Sequence, residues 1–234
     1  MTAANRTMSS LEVRANNLAN VNTPGFRADL ERAQAENVEG YGYDSRHMAS
    51  VKNNGIDLTP GPITVTGRTL DLAIQGQGLF AVEFEGEEAY TRHGSLVINS
   101  EQQLTINGRP LLGEDGEIVL PDFQSIHIGN DGTLSILPMG ETQMVEIGRI
   151  RTVDPQGVDL TKNAQGLIVA TDGQPLADMV TNNILSGHLE MSNVSVIEEL
   201  VATMSLNRTF ETQIKMMKAA ETISDAGNRI IRGS

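Results

Sequence analysis

The sequence contains no cysteine. That absence removes disulfides, thiol nucleophiles and thiolate metal sites together. Tryptophan is also missing and aromatic residues make up only 3%, so the usual aromatic anchors of sugar sites and compact hot spots are scarce. No stretch approaches the run of about 18 apolar residues that a membrane-spanning helix needs. Nor does a cleavable secretory signal open the chain. Met1 to Arg14 mixes Asn, Ser, Glu and Arg into a weak apolar pattern without an apolar core. This argues against a Sec route and leaves room for export that reads an uncleaved N-terminus. Positive charge is in short supply: 17 Lys and Arg face 30 Asp and Glu, a formal net charge of -13. Such a surface repels nucleic-acid phosphates and anionic headgroups. We therefore expect no nucleic-acid partner and no direct lipid insertion.

What is present is organised along 234 residues, enough for one or two packed domains. Ala4, Met8, Leu11, Ala15 and Leu18 recur at spacings of four and three, one seam of a helix. The helix should end near Asn20, because Asn22-Thr23-Pro24-Gly25 cannot continue it. Residues 1–25 are thus read as an N-terminal helix with its cap. Residues 26–62 are polar and without convincing period, and read as an extended linker that gains order by packing on a neighbour.

From Ile63 the period changes to two. Leu70, Leu72 and Ile74, then Leu79 to Phe84, read as strands. More strands centre on Leu96–Ile98, Leu104–Ile106, Ile118–Leu120, Ile126–Ile128, Leu134–Leu137, Met144–Ile150 and Leu167–Ala170. Asn107-Gly108, Asp115-Gly116, Asp131-Gly132 and Asp172-Gly173 supply the turn chemistry between them. Residues 63–185 are predicted to be an all-β domain of short antiparallel strands. Residues 186–234 then read as a long helix, capped by Ser192 or Asn193, with Glu198 and Glu199 near its positive end. Its stripe runs through Ile197, Leu200, Met204, Leu206, Phe210, Ile214, Met217, Ala220, Ile223 and Ile230. A stripe over about 35 residues exceeds the globular norm and indicates a coiled coil or bundle. Two amphipathic end helices are most economically buried against each other, antiparallel, with the β domain looped out between them. The fold class expected is mainly β with paired terminal helices, serving a non-enzymatic subunit of an assembly.

The chemically suggestive residues have plainer readings. His47, His93, His127 and His188 lack partners at metal-ligand spacing, and no H-E-x-x-H occurs. Gly76-Gln77-Gly78 lacks the third glycine and lysine of a phosphate loop and reads as a turn between strands. The Asp-Gly turns do not make an EF-hand loop. Glu87-Glu88 and Glu198-Glu199 are adjacent carboxylates of the kind that solvent covers, and no G-x-S-x-G elbow is present. No catalytic residue, metal ligand or cofactor is therefore assigned. The Asn-rich run from Ala15 to Phe26 stands apart: several side chains there can cap freed backbone groups, and Pro24-Gly25 reverses the chain.

That run resembles a known signature. Asn16, Asn17, Leu18 and Asn20 through Thr23, Gly25 and Phe26 are similar to the N-terminal motif of the bacterial flagellar rod and hook (axial) proteins. Leu70 to Val82, with Gly76 and Gly78, resembles a second hallmark of that family, and Tyr90-Thr91-Arg92-His93-Gly94 the segment that follows it. Leu189 to Val194, with Asn193, and Glu198-Glu199-Leu200 resemble the opening of the family's C-terminal helix. Ser205 to Glu211 and Gln213 to Glu221 look like the proximal-rod branch; distal-rod members usually carry a Gln-Arg-Ala-Tyr-type segment in place of Asn207 to Phe210. The resemblance implies a rod subunit of the basal body that crosses the periplasm, polymerises with itself and other rod proteins, transmits torque and leaves through the flagellar type III export apparatus uncleaved. Members usually begin with more than a turn of further helix ahead of the position of Met1. On this reading Leu11 and the motif residues above, with Leu200, Met204, Leu206, Phe210, Ile214 and Met217, carry assembly. A distal-rod or other axial paralogue is the near alternative. A ligand-binding or enzymatic β domain with helical docking ends is the alternative of another class, and a deep pocket with convergent polar groups would favour it.

Overall fold

The structure, a computed structural model, describes residues 2–37, 47–180 and 183–232. It divides into two compact units. One gathers residues 1–19, 31–52 and 195–234; the other gathers 20–30 and 53–194.

The first unit is built on two helices, α1 (Thr2–Ala19) and α2 (Val196–Arg232). α1 stops at Ala19, as the following Asn and Pro-Gly segment requires. α2 starts later than the sequence reading placed it. Ser195 is its cap: its hydroxyl accepts from the Glu198 amide at 3.4 Å and its carbonyl from the Glu199 amide at 3.0 Å. Ser192 and Asn193 do not cap the helix. The Ser192 hydroxyl accepts from the Val194 amide, and Asn193 has a separate role described below. Residues 186–194, expected in the C-terminal helix, instead hold the end of one strand, another strand and a connecting segment.

The stretch 26–62 is also corrected. It is not a featureless linker: Asp29–Asn37 and His47–Ile56 are strands paired with each other in a two-stranded sheet. Residues 38–46, part of that expected linker, lie outside the described residues. Both segments are largely polar in sequence, and a strand without apolar residues at every second position leaves no period of two to read.

The second unit is the β body. Its largest sheet has five strands in the order Thr152–Val153, Leu79–Phe84, Glu87–Thr91, Ile168–Ala170, Leu160–Lys162. Two three-stranded sheets join it, one of Phe123–Ile128, Thr133–Pro138 and Val145–Arg149, the other of Leu96–Ile98, Leu104–Ile106 and Arg109–Pro110. Short pairs complete it: Leu72–Ile74 with Ile184–Ser186, Ile63–Val65 with His188–Glu190, and Leu112–Gly113 with Gly116–Glu117. The pairings within this body are antiparallel. Ile118–Leu120, expected as a strand, forms only an isolated bridge at Val119, although Leu120 is fully buried. The main core joins Leu72, Ile74, Phe80, Val82, Leu96 and Leu104 to Leu120, Ile128, Leu134, Ile136 and Ile150. Tyr90, Leu79, Ala81, Val153 and Ile168 form a second cluster on the other side of the five-stranded sheet. At Asn107 (φ 51°) and Gly108 (φ 78°) both turn residues are left-handed, as a two-residue hairpin requires.

Candidate assembly site

The helix pair is the first element of the site. Thr7 of α1 donates to Gln213 of α2 at 3.3 Å. Ten residues along α1, the Asn17 amide donates to Glu199 at 3.0 Å, with Arg14 on the same carboxylate at 3.1 Å. α1 therefore advances while α2 recedes, so the helices are antiparallel. Asn17 is fully buried and Glu199 is 5% exposed. The Arg14 side chain is 38% exposed, so solvent screens its part of the ion pair, and the buried Asn17 amide is the donor that meets the carboxylate away from water. A second contact on α1 is made by Ser10 and Arg6, both on Glu31.

The buried face of α1 is not the seam predicted from its apolar residues. Thr7, Ser10, Val13 and Asn17 are buried, at spacings of three and four. Of the expected seam, Leu11, Leu18 and Ala4 are half-buried, while Met8 and Ala15 are exposed. At 100° per residue the expected seam lies on the flank of the real one. The single stripe predicted on α2 likewise resolves into two. Leu206, Phe210 and Ile214 are half-buried, on the face that carries Glu199 and Gln213. Met217 lies on that side at 37% exposure. Ile197, Leu200 and Met204 lie on the opposite side and are 76%, 46% and 65% exposed.

The second element lies in the β body, where the segments leading out of α1 and into α2 are fastened. Glu190 is 1% exposed and accepts from Arg27 at 2.6 Å, from Arg92 at 2.5 Å and from the Gly61 amide at 2.7 Å. Its backbone carbonyl takes the Gly25 amide at 2.7 Å. Arg92 extends the cluster to the Gly76–Gly78 turn: it donates to the carbonyls of Ile74 at 2.5 Å and Gly76 at 2.6 Å, and to that of Gly78. Burial lowers the Arg92 pKa from its ordinary value, and the Glu190 charge and hydrogen bond push it back. Arg27 is 2% exposed, and its Nη1 is buried without a protein acceptor. One carboxylate thus holds two guanidiniums and a backbone amide.

Around this clamp backbones approach closely. A Cβ on Gly25 (φ +69°) would stand 2.3 Å from the His93 nitrogen, and one on Gly61 would stand 2.2 Å from the Met191 carbonyl oxygen. Asn193 ties three segments: its side chain accepts from Ala28 N–H at 2.8 Å and donates to the carbonyls of Asp57 and Thr59, each at 3.0 Å. Lys162 lies 3.9 Å from the Phe26 ring centre and pairs with Asp29 at 2.7 Å. Burial lowers its pKa, and Asp29 partly offsets that.

The motif residues of the sequence reading therefore divide by place. Asn17, with Leu11, Leu18, Leu206, Phe210 and Ile214, belongs to the paired helix faces. Gly25, Phe26, Gly76, Gly78 and Asn193 belong to the clamp and its surroundings. Asn20 and Thr23 close the turn after α1, the Thr23 hydroxyl donating to the Asn20 side chain at 3.2 Å; Asn16 is exposed. Arg27, Arg92 and Glu190 were not singled out as a group. Their only signal was a lone charge within each of three otherwise glycine-rich or apolar motifs.

The β body also has an open cleft of about 630 Å³, lined among others by Phe84, Glu85, Glu87, Glu88 and Tyr90. Glu88 there is already engaged by the Tyr90 hydroxyl at 3.1 Å and by Arg151. Among the described residues, no three His, Cys, Asp or Glu side chains group closely enough to hold a metal ion.

A helix pair with an exposed apolar face, and a β body that clamps both of its leads, defines a structural subunit built to be assembled. Three family models match the chain. "Flagella basal body rod protein" matches residues 1–27, "Flagellar hook protein FlgE/F/G D1 domain" residues 73–136, and "Flagellar basal body rod FlgEFG protein C-terminal" residues 185–230. The flagellar basal-body rod protein FlgF of Escherichia coli K12 is 35% identical over 99% of this chain and 96% of its own length. FlgF of Salmonella typhimurium is equally similar over the same shares. The rod protein FlgG of Bacillus subtilis is 30% identical over 92% of this chain and 90% of its own. The chain belongs to the flagellar basal-body rod proteins and is a structural subunit of that rod. Its relatives are structural rod proteins rather than enzymes, and the family assembles with other rod proteins in the basal body.

Proposed function

We propose that this chain is a subunit of the proximal rod. It polymerises with copies of itself and with other rod proteins through α1 and α2, which pack as a coiled-coil layer, and it transmits torque across the periplasm. It leaves the cytoplasm through the flagellar type III export apparatus without cleavage. Its work is mechanical: it carries no catalytic residue, needs no cofactor and engages neither nucleic acid nor lipid. The proximal assignment rests on the Ser205–Glu211 and Gln213–Glu221 segments and on the identity to FlgF relatives.

The observation that carries the polymerisation reading is the outer face of α2. Ile197, Leu200, Val201 and Met204 are 46–76% exposed on consecutive turns of a helix whose other side is already occupied by α1. A contiguous apolar face in water marks an interaction surface. The test is Leu200→Asp with Met204→Asp in motile cells. Both side chains are exposed in the subunit, so the purified variant should melt like the parent. Rod assembly and swarming should be lost, because each carboxylate would be buried against a neighbour without a partner. Normal swarming by the double variant would sink the proposal.

A further inference from the structure

The clamp of the β body carries more positive charge than its carboxylate answers. Arg27 and Arg92 are each no more than 2% exposed, and Glu190 is the acid that both meet. Two buried guanidiniums on one carboxylate leave a surplus of one positive charge. Lys162 donates to the Arg27 carbonyl at 2.6 Å, but Asp29, at 2.7 Å, is its own counter-ion. His93, whose backbone approaches Gly25, is held toward its neutral form by burial. The donors are as unequal as the charges. Each nitrogen of Arg92 is engaged: Nε on Glu190, Nη1 on the Gly78 carbonyl, Nη2 on the carbonyls of Ile74 and Gly76. Arg27 reaches Glu190 through Nη2, and its Nη1 is buried with no acceptor among the described residues. Glu190 does not serve it: Oε1 is shared by Arg27 Nη2 and the Gly61 amide, and Oε2 is on Arg92.

We infer that Arg27 Nη1 anchors a binding site for one small monovalent anion, and that chloride is its ligand. A buried donor without a partner has given up water and gained nothing, and a buried charge without a counter-charge costs more. A water molecule at Nη1 meets the first need and not the second. An anion meets both, because a charge-assisted hydrogen bond also cancels the surplus charge. That surplus is already felt at Arg92: burial lowers its pKa and the Arg27 charge lowers it further, against the pull of Glu190. The packing selects a monoatomic ion. Gly25 and Gly61 flank the cluster, and a Cβ on either would meet backbone at 2.3 Å and 2.2 Å. A phosphate or carboxylate ligand needs more clearance than such contacts leave. The ion completes the fastening of Gly25–Arg27, which follows α1, to Glu190, which precedes α2. The folded cluster holds it and the unfolded chain does not, so it stabilises the β body in step with its concentration.

The test uses the full-length chain and chloride itself. Urea unfolding is followed by far-ultraviolet circular dichroism over about a hundredfold range of sodium chloride, with sodium gluconate holding the ionic strength constant so that screening does not change. Gluconate is also a monovalent anion, but too large for a cluster whose guanidiniums are no more than 2% exposed. As the site fills, the unfolding equilibrium constant should fall in inverse proportion to chloride, the slope of a single ion bound to the folded chain. Arg27→Gln leaves one guanidinium on one carboxylate and should show no such slope. In crystals of the parent grown in sodium bromide, the anomalous bromide peak should lie within hydrogen-bond distance of Arg27 Nη1, which decides the matter even where Arg27→Gln fails to fold. Identical unfolding in chloride and gluconate would overturn the proposal and give Nη1 to a water molecule. A chloride slope that persists in Arg27→Gln would overturn the location. Bromide found on the protein surface and not at Nη1 would overturn it too, as an adventitious ion only.

Discussion

Glu190→Gln is the sharpest perturbation of the clamp. The substitution keeps the shape of the side chain and removes its charge. In the native β body, Arg27 and Arg92 are each no more than 2% exposed, and both donate to this one carboxylate. With glutamine in place, two guanidiniums remain buried with no anion between them. One side of the amide also presents N–H groups where acceptors are needed. Breaking a buried pair by removing one partner costs about 3–5 kcal/mol, because the remaining charge is left uncompensated. At about 2–4 °C per kcal/mol for a chain of this size, melting should fall by about 6–20 °C. Urea unfolding followed by far-ultraviolet circular dichroism gives the free energy, and calorimetry the temperature. Amide exchange should localise the loss to Gly25–Arg27, Gly61 and the Ile74–Gly78 turn, whose backbone groups the cluster holds. A loss below about 1 kcal/mol, the size of an exposed ion pair, would refute the view that this cluster is a desolvated clamp.

Three further outcomes are expected. Asn17→Ala removes a buried donor to Glu199 and should cost about 1–3 kcal/mol in the helix pair, read as faster amide exchange in α1, with β-body melting unchanged. Gly94→Ala places a Cβ 1.7 Å from the Leu72 carbonyl oxygen and should destabilise the β body by about 1–3 kcal/mol or more in urea, whereas Gly148→Ala, with open space around it, should stay within about 0.5 kcal/mol. Burial holds the His93 pKa below its ordinary 6.5, partly offset by Asp71, and its Nδ1 accepts from the Ser95 amide at 3.2 Å. The unfolded chain therefore binds the proton first: this contribution to stability is full above pH 6.5 and is lost as pH falls through 6.5 toward the lower folded value. The melting difference between parent and His93→Gln should change over that window, and a difference that stays flat from pH 8 to about pH 5 would contradict the argument.

Much of this architecture was legible in the sequence where one physical cause dominates. The end of α1 followed from Pro24-Gly25, and hairpins such as Asn107-Gly108 followed from positive φ. Strands such as Leu79–Phe84 followed from their hydrophobic content. Legibility failed where polar groups do the packing. Glu87–Thr91 lies beside the core yet opens with two glutamates at an exposed hairpin end. The ribbon of Asp29–Asn37 and His47–Ile56 pairs through its backbone, and backbone pairing has no side-chain signature. The clamp was hidden for a different reason. Arg27 and Glu190 stand 163 residues apart, and Arg92 and Glu190 stand 98 apart. No local window holds two members of that cluster.

The displaced helix seam follows from the same physics. A pattern search assigns the inward face of α1 to its apolar residues, which would be right for a helix whose only neighbour is its own core. In this subunit the inner seam contains Thr7, Ser10, Val13 and Asn17, three of them polar. Their register is fixed by directional bonds such as Thr7–Gln213 and Asn17–Glu199. A hydrogen-bonded seam discriminates against a slipped register more strongly than an apolar one, because each slip leaves buried polar groups unpaired. It also leaves apolar side chains free for the outside. Met8 on one helix, and Ile197, Leu200 and Met204 on the other, stay accessible without competing for the inner contact. Had Ile197, Leu200 and Met204 packed inward with Leu206, Phe210 and Ile214, the first turns of α2 would have turned a polar face outward and had little left to bury against a neighbour. The polar buried face of α1 and the apolar outer patch of α2 are therefore two sides of one arrangement: the first sets the register of the helices within a subunit, and the second is the surface to which the proposed polymerisation assigns the contact between subunits.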